Sequence, residues 1–226
     1  GGAPRGVLGV LGRRKRDFAR LVGELPVPEA GLAAAVLGCG LGLEVDHLAR
    51  VARDRTRGEA PHCIAGVDFA STAIDRAMEA FGRTPGALFY HADVCELPHP
   101  AAPLDLLVDN TVFQNVRGTD SEGRYLEALR RLSRPGHTVL HLNLMSQEGV
   151  DRRPGLAACM EELNLPLQRR EDIVEALTRD WALLSAHEGL YDLRPEGAGF
   201  ECDAFYEYGG KSTPGIPSWW MLLLRK

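Results

Sequence analysis

The stretch Ala34-Ala35-Val36-Leu37-Gly38-Cys39-Gly40-Leu41-Gly42 decides the fold. A short apolar run ends in glycines at alternate positions. An amphipathic segment follows, with Leu43, Val45, Leu48 and Val51 as an inward stripe. This order predicts a buried strand over 32–37, a tight turn, and a crossover helix over 42–53. Glycine lets such a turn adopt φ > 0 and leaves no Cβ between the backbone and a bound ligand. The third glycine is Gly42 and position 43 is Leu43. The spacing is therefore G-x-G-x-G, not the G-x-G-x-x-G of a dinucleotide site.

Working outward, strand-like runs alternate with helical ones. Cys63–Val67 reads as a strand ending at Asp68, and Ser71 is a plausible N-cap for a helix to Phe81. Ala87–His91 ends near Asp93, and Leu104–Val108 ends at Asp109-Asn110. A helix over Glu122–Leu132 and a turn at Arg134-Pro135-Gly136 lead to a strand over His137–Leu144. The alternation implies an α/β fold with a doubly wound, mostly parallel sheet. Each acidic residue falls just past a strand's carboxyl end, where ligands bind in such sheets.

The ends of the chain differ in character. Residues 7–23 look helical before Pro26 and Pro28 break the pattern. Residues 146–170 are irregular, Glu171–Arg179 is helical, and Ala182–Leu193 reads as a strand. Residues 194–216 are rich in glycine and aromatics, and Trp219–Leu224 is a short apolar strand. One domain over 1–226 is expected, with 1–30 as an N-terminal helical cap. Segments 146–170 and 194–216 are expected to cover the substrate.

Composition narrows the function classes. The chain has 226 residues, 45% hydrophobic and 25% charged, which suits one globular core. A net charge of −5 argues against broad nucleic-acid binding. Arg13-Arg14-Lys15-Arg16 is the one strong basic run and reads as a solvated helix face. Cys39, Cys63, Cys95, Cys159 and Cys202 are odd in number and form no C-x-x-C. Neither a disulfide frame nor a metal site is expected, and the compartment reads as the cytoplasm. No apolar run reaches the roughly 18 residues of a membrane span, and the N-terminus has no proper signal-peptide core.

In order, the glycine turn, Asp68, Asp93 and Leu104-Asp105-Leu106-Leu107-Val108-Asp109-Asn110 resemble the motifs of the class I S-adenosylmethionine (SAM) methyltransferases. The likeness covers residues 32 to about 144 and is weaker over 171–226. It implies a seven-stranded Rossmann-like sheet with an antiparallel C-terminal strand. It also implies that Gly38, Cys39, Gly40 and Gly42 approach SAM closely. By the same resemblance Asp68 accepts from the ribose hydroxyls and Asp93 from the adenine amino group. Phe69 and Val94 would then sandwich the adenine. Asp109 and Asn110 complete the expected cofactor contacts.

Thr111-Val112-Phe113-Gln114-Asn115-Val116 looks like the segment that small-molecule methyltransferases place beside the sulfonium. Resemblance is closest to the thiol and thiopurine branch. Asn110, Gln114 and Asn115 are the resulting candidates for catalysis, and Phe113, Tyr206 and Tyr208 for substrate contact. Phe205 and Trp219 are further lining candidates. His91, His137, His141 and His187 read as structural, and none stands out as a general base. One departure concerns Val36, where the family usually carries Asp or Glu. The ammonium of SAM's amino-acid tail is left without an obvious partner.

The expected activity is methyl transfer from SAM to a small organic acceptor, by a monomer or homodimer, giving S-adenosylhomocysteine (SAH). A cyclisation or elimination on the same fold, or a SAM-binding protein without activity, are the alternatives.

Overall fold

In the computed structural model the described residues are 27–153, 156–157, 160, 166–191 and 216–226. The expected N-terminal helix at 7–23, the basic run at 13–16, Cys159, Cys202, Phe205, Tyr206 and Tyr208 lie outside them.

The apolar run before the glycines forms β1 (Ala33–Leu37), almost wholly buried. Helix α1 (Leu43–Arg55) follows, then β2 (Cys63–Asp68), α2 (Ser71–Phe81) and β3 (Ala87–His91). A single 3-10 turn at Val94–Glu96 leads towards β4 (Leu106–Asn110). Helices α3 (Val112–Val116) and α4 (Glu122–Leu132) precede β5 (Val139–Met145). Then come α5 (Gln147–Asp151), α6 (Arg170–Leu177), β6 (Trp181–Tyr191) and β7 (Ile216–Arg225). The sheet is seven-stranded, in the order β3-β2-β1-β4-β5-β7-β6. The first five strands pair in parallel, and β7 runs antiparallel to both β5 and β6.

The period-2 alternation of side chains divides the sheet into two covered faces. Ala34, Val36, Ile64, Leu106, Val108 and Trp220 pack with Val45, Leu48, Ala49 and Ala52 of α1. Ala35, Leu37, Leu107, Leu140, Leu142 and Leu144 pack with Tyr125, Leu129 and Leu132 of α4 and with Ile173 and Leu177 of α6. Consecutive residues at a strand's end therefore look to opposite sides of the sheet. This parity governs the site.

Three local expectations need correction. Ser71 is the first helical residue; Ala70 holds the cap position, with no side-chain cap bond. Asp68 Oδ1 accepts from Ala70 N at 2.9 Å, which fixes the entry to the helix at the cap residue's own N–H. β4 begins at Leu106, not Leu104, because Leu104 is drawn aside: its carbonyl accepts from Thr138 Oγ1 at 2.7 Å. Asp105 accepts from Ala33 N at 2.8 Å through its side chain, which closes the sheet below β4. Residues 146–170 are not wholly irregular, since Ser146 caps α5 by accepting from Gly149 N at 2.9 Å.

Candidate functional site

The glycine turn after β1 has positive φ at Gly38 (64°), Gly40 (52°) and Gly42 (82°). The three serve different ends. A Cβ on Gly42 would stand 2.6 Å from Phe89 and 2.9 Å from Ala77 Cβ, and one on Gly38 would stand 2.3 Å from Val112 Cγ2. Those two glycines permit internal packing. A Cβ on Gly40 would meet nothing within 4 Å. Gly40 is thus the glycine whose bare backbone borders open space. Cys39 between them is buried, and its N–H donates to the Val67 carbonyl at 2.9 Å. Burial, reinforced by the Asp68 charge, pushes its thiol up to about 12. Cys39 therefore stays a neutral packing group and contributes backbone to the turn.

Asp68 at the end of β2 braces this turn. Its Oδ2 accepts from Gly40 N at 2.8 Å and its Oδ1 from Ala70 N at 2.9 Å. Each carboxylate oxygen keeps a second lone pair for a further donor. The next residue, Phe69, is 80% exposed. The ends of β2 and β3 are tied by Ala92 N donating to the Asp68 carbonyl at 3.0 Å and by His91 Nε2 with the Phe69 carbonyl at 3.0 Å. Asp93 is exposed and accepts from Cys95 N at 2.8 Å, while Val94 is buried behind it. Gly40, Asp68, Phe69 and Asp93 thus stand together along the carboxyl edges of β1, β2 and β3.

The end of β4 separates the remaining candidates. Asp109 and Asn110 are neighbours and face opposite sides. Asp109 is fully buried and accepts from Val112 N at 2.7 Å, Phe113 N at 2.9 Å and Tyr125 Oη at 2.5 Å. Burial raises its pKa to about 6, against the pull of those three donors. Phe113 is buried against Tyr125, ring centroids 6.1 Å apart. Gln114 is buried too, its Oε1 accepting from Met145 N at 2.8 Å. Asp109, Phe113 and Gln114 therefore look into the protein as a brace between α3, α4 and β5. Asn115 is exposed and bonds the Thr111 carbonyl at 2.6 Å. Thr111 itself sits at φ 72°, a left-handed conformation costly for a β-branched residue.

Asn110 looks the other way, towards the first turn of α1. Its Nδ2 donates to Glu44 Oε1 at 2.9 Å, and its Oδ1 is buried without a hydrogen-bond partner. Glu44 is itself buried. Sequence reasoning passed over Glu44, although it lies two positions past Gly42 on the helix that the turn launches. It also passed over Asn143 on β5, the register partner of Asn110. The histidines are engaged elsewhere: His137 Nε2 meets Asp105 Oδ1 at 2.9 Å, and the His141 ring lies 5.6 Å from that of Trp220. Among the described residues there is no group of three or more metal-ligating side chains.

A family profile described as a methyltransferase domain matches residues 36–140. A comparison with curated proteins gave no match. Among solved structures, the chain is similar to one describing conversion of a disulfide bond into a thioacetal group during echinomycin biosynthesis. Identity there is 23% and the TM-score 0.66, over 96% of this chain and 84% of that one. It is similar to the N-methyltransferase NodS from Bradyrhizobium japonicum WM9, at 13% identity and TM-score 0.60 over 93% and 96% of the two chains. It is also similar to the [4+2]-cyclase SpnF, at 16% identity and TM-score 0.61 over 92% and 80%. The sheet order is that of the class I SAM-dependent methyltransferase fold, and the stretch matched within it is a methyltransferase domain. The cofactor of such methyltransferases is SAM, and NodS has been solved in complex with SAH.

The residues present fit such a ligand. SAM has no phosphate, and the turn offers backbone at Gly40 facing open space with a carboxylate 2.8 Å behind it. An exposed aromatic follows at once, and a buried amide oxygen at Asn110 awaits a donor. Among the described residues no helix is long and apolar enough to cross a membrane.

Proposed function

We propose that this chain transfers a methyl group from SAM to a small organic acceptor. The observation that carries the reading is the pairing of Gly40's open backbone with Asp68, beside exposed Phe69. Gly40 would lie under the ligand, Asp68 would accept from the ribose hydroxyls, and Phe69 and Asp93 would hold the adenine. Bound SAM supplies an electrophilic methyl carried on a sulfonium.

The rest falls to the protein. Transfer needs the nucleophile in line and roughly 3–3.5 Å from the carbon it attacks. Asn110, fixed by Glu44, and Asn115, tied to the Thr111 carbonyl, stand at the end of β4 where an acceptor would be oriented. An amine or thiolate acceptor needs positioning more than a base, which suits a strand edge without a poised histidine. The likeness to NodS and to the echinomycin-pathway structure supports a small-molecule acceptor.

The likeness to SpnF supports a second reading, a cyclisation on the same fold. Thermal melts with SAM and SAH test the cofactor site. Ligand at about 100 times its Kd adds roughly 2.7 kcal/mol, a rise of several degrees. No rise with either ligand would sink the reading. SAH release with an acceptor separates methyl transfer from cyclisation.

A further inference from the structure

The segment between β3 and β4 is poorly equipped to hold itself in place. Pro98, Pro100 and Pro103 have no N–H to donate, and the 3-10 turn Val94–Glu96 is short. The turn is tied at its start: Asp93 accepts from Cys95 N at 2.8 Å, and Glu96 N donates to the Asp93 carbonyl at 3.0 Å. The Cys95 and Leu97 carbonyls lie at its far end, where a helix leaves its carbonyls without partners. Arg131, in the last turn of α4, answers both. Its Nη2 donates to the Cys95 carbonyl at 2.8 Å and its Nε to the Leu97 carbonyl at 2.6 Å. The tie also runs back. His99 Nδ1 lies 3.0 Å from the Arg131 carbonyl, which can only accept, so Nδ1 carries the proton.

Arginine suits this place. Its planar guanidinium presents N–H donors in a fixed fork, so one side chain reaches two carbonyls at once. Arg124 and Arg130 of the same helix engage carboxylates, Glu96 at 3.0 Å for the first and Glu127 and Asp180 at 2.6 and 2.7 Å for the second. Arg131, half-buried, turns its fork on backbone instead. The consequence lies one residue away. Cys95 receives Arg131 at its carbonyl and gives its N–H to Asp93, so guanidinium and carboxylate are joined through a single residue. Asp93 is exposed and Val94 behind it is buried, so the direction of the carboxylate is set by the turn beneath it. We infer that Arg131 is a positioning residue: by clamping the Cys95 and Leu97 carbonyls it aims Asp93 at the adenine amino group of the cofactor and so sets the site's selectivity for adenine. The inference rests on the reading that Asp93 accepts from that group.

The test compares two ligands on the full chain by titration calorimetry: SAH, and its desamino analogue, in which hydrogen replaces the adenine amino group. The unaltered chain should prefer SAH by about tenfold, because the analogue leaves the carboxylate without its donor. Arg131→Met keeps an apolar stem and removes the fork. It should weaken SAH binding by roughly three- to tenfold and leave the analogue's Kd nearly unchanged, so that the preference collapses. Arg131→Lys keeps the charge but donates as a point, and its preference should fall between the two. A merely structural role would weaken both ligands alike and keep the preference; that result overturns the proposal. If Arg131→Met does not fold, Arg131→Lys decides, and a preference equal to that of the unaltered chain overturns the proposal. Asp93→Ala separates the two layers of the argument. A preference lost in Asp93→Ala but kept in the Arg131 variants overturns the role of Arg131 alone. A preference kept in Asp93→Ala, or missing from the unaltered chain, overturns the adenine reading of Asp93 and the proposal with it.

Discussion

Asp68 Oδ2 accepts the Gly40 N–H at 2.8 Å, joining the end of β2 to the turn after β1 across 28 residues of sequence. One carboxylate thus fixes the shape of the glycine turn and stands ready for a ligand hydroxyl. The two roles are separable. Asp68→Asn keeps an oxygen for the Gly40 bond but loses the charge; Asp68→Ala loses both. Both should weaken SAM binding, Asp68→Ala by about 1–3 kcal/mol and Asp68→Asn by less. Titration calorimetry with SAM and SAH measures the difference. Unchanged affinity in both variants would remove Asp68 from the site.

The glycines of the turn should respond unequally. Gly40→Val places a side chain in open space, so the chain should fold, at a cost of about 1–2 kcal/mol for a left-handed residue, while SAM binding is abolished. Gly42→Val drives its Cβ into Phe89 and Ala77, so it should fail first in stability. Urea midpoints beside SAM titrations separate the two. A Gly40→Val chain that folds and binds SAM as before would contradict the assignment of Gly40 to the ligand.

Much of this was legible in the sequence, for a physical reason. Apolar runs ending in glycine or acid are what a buried parallel strand must look like, and β3 and α4 have the bounds read from the sequence, while α2 starts one residue earlier, at Ser71. The parity at the end of β4 was not legible. Asp109 and Asn110 read as a pair of ligand contacts, yet period 2 sends one into the α4 face and the other towards α1. Which face holds a donor depends on Tyr125, 16 positions away. Asn143 and Glu44 escaped for the same reason: each matters through a partner brought near only by the sheet. Tyr206 and Tyr208 lie outside the described residues.

The buried Asp109–Tyr125 pair should leave a signature in the pH dependence of stability. Asp109 titrates at about 6 in the fold, above its ordinary 3.8, because burial disfavours the charge. The folded chain therefore binds more protons than the unfolded one between those values. Its contribution is fully present below about pH 4, is lost as pH rises through about 6, and is level above that. The span of about two pH units corresponds to about 3 kcal/mol. Tyr125→Phe removes a donor that favours the carboxylate, so the loss should extend to higher pH. Asp109→Asn should flatten this part of the profile. Urea unfolding at pH 4.5, 6 and 7.5 in the three proteins checks both, and parallel profiles would refute the pairing.

Thr111 offers a last test, of strain at the end of β4. It holds φ 72° and ψ 7°, where its branched Cβ crowds the backbone. Its N–H donates to the Asn143 carbonyl at 2.9 Å and its own carbonyl accepts from Asn115 Nδ2 at 2.6 Å. Those bonds hold the conformation in place despite its cost. Thr111→Gly relieves about 1–2 kcal/mol of strain but gives back up to about 1 kcal/mol in chain entropy. Its urea midpoint should therefore rise slightly, by a net of about 0.5–1 kcal/mol. The same change frees the segment that carries Asn110 and Asn115, so SAH formation with a working acceptor should slow while the Kd for SAM is kept. A variant both less stable and equally fast would show that Thr111 is accommodated without strain and that the turn's stiffness does not serve the reaction.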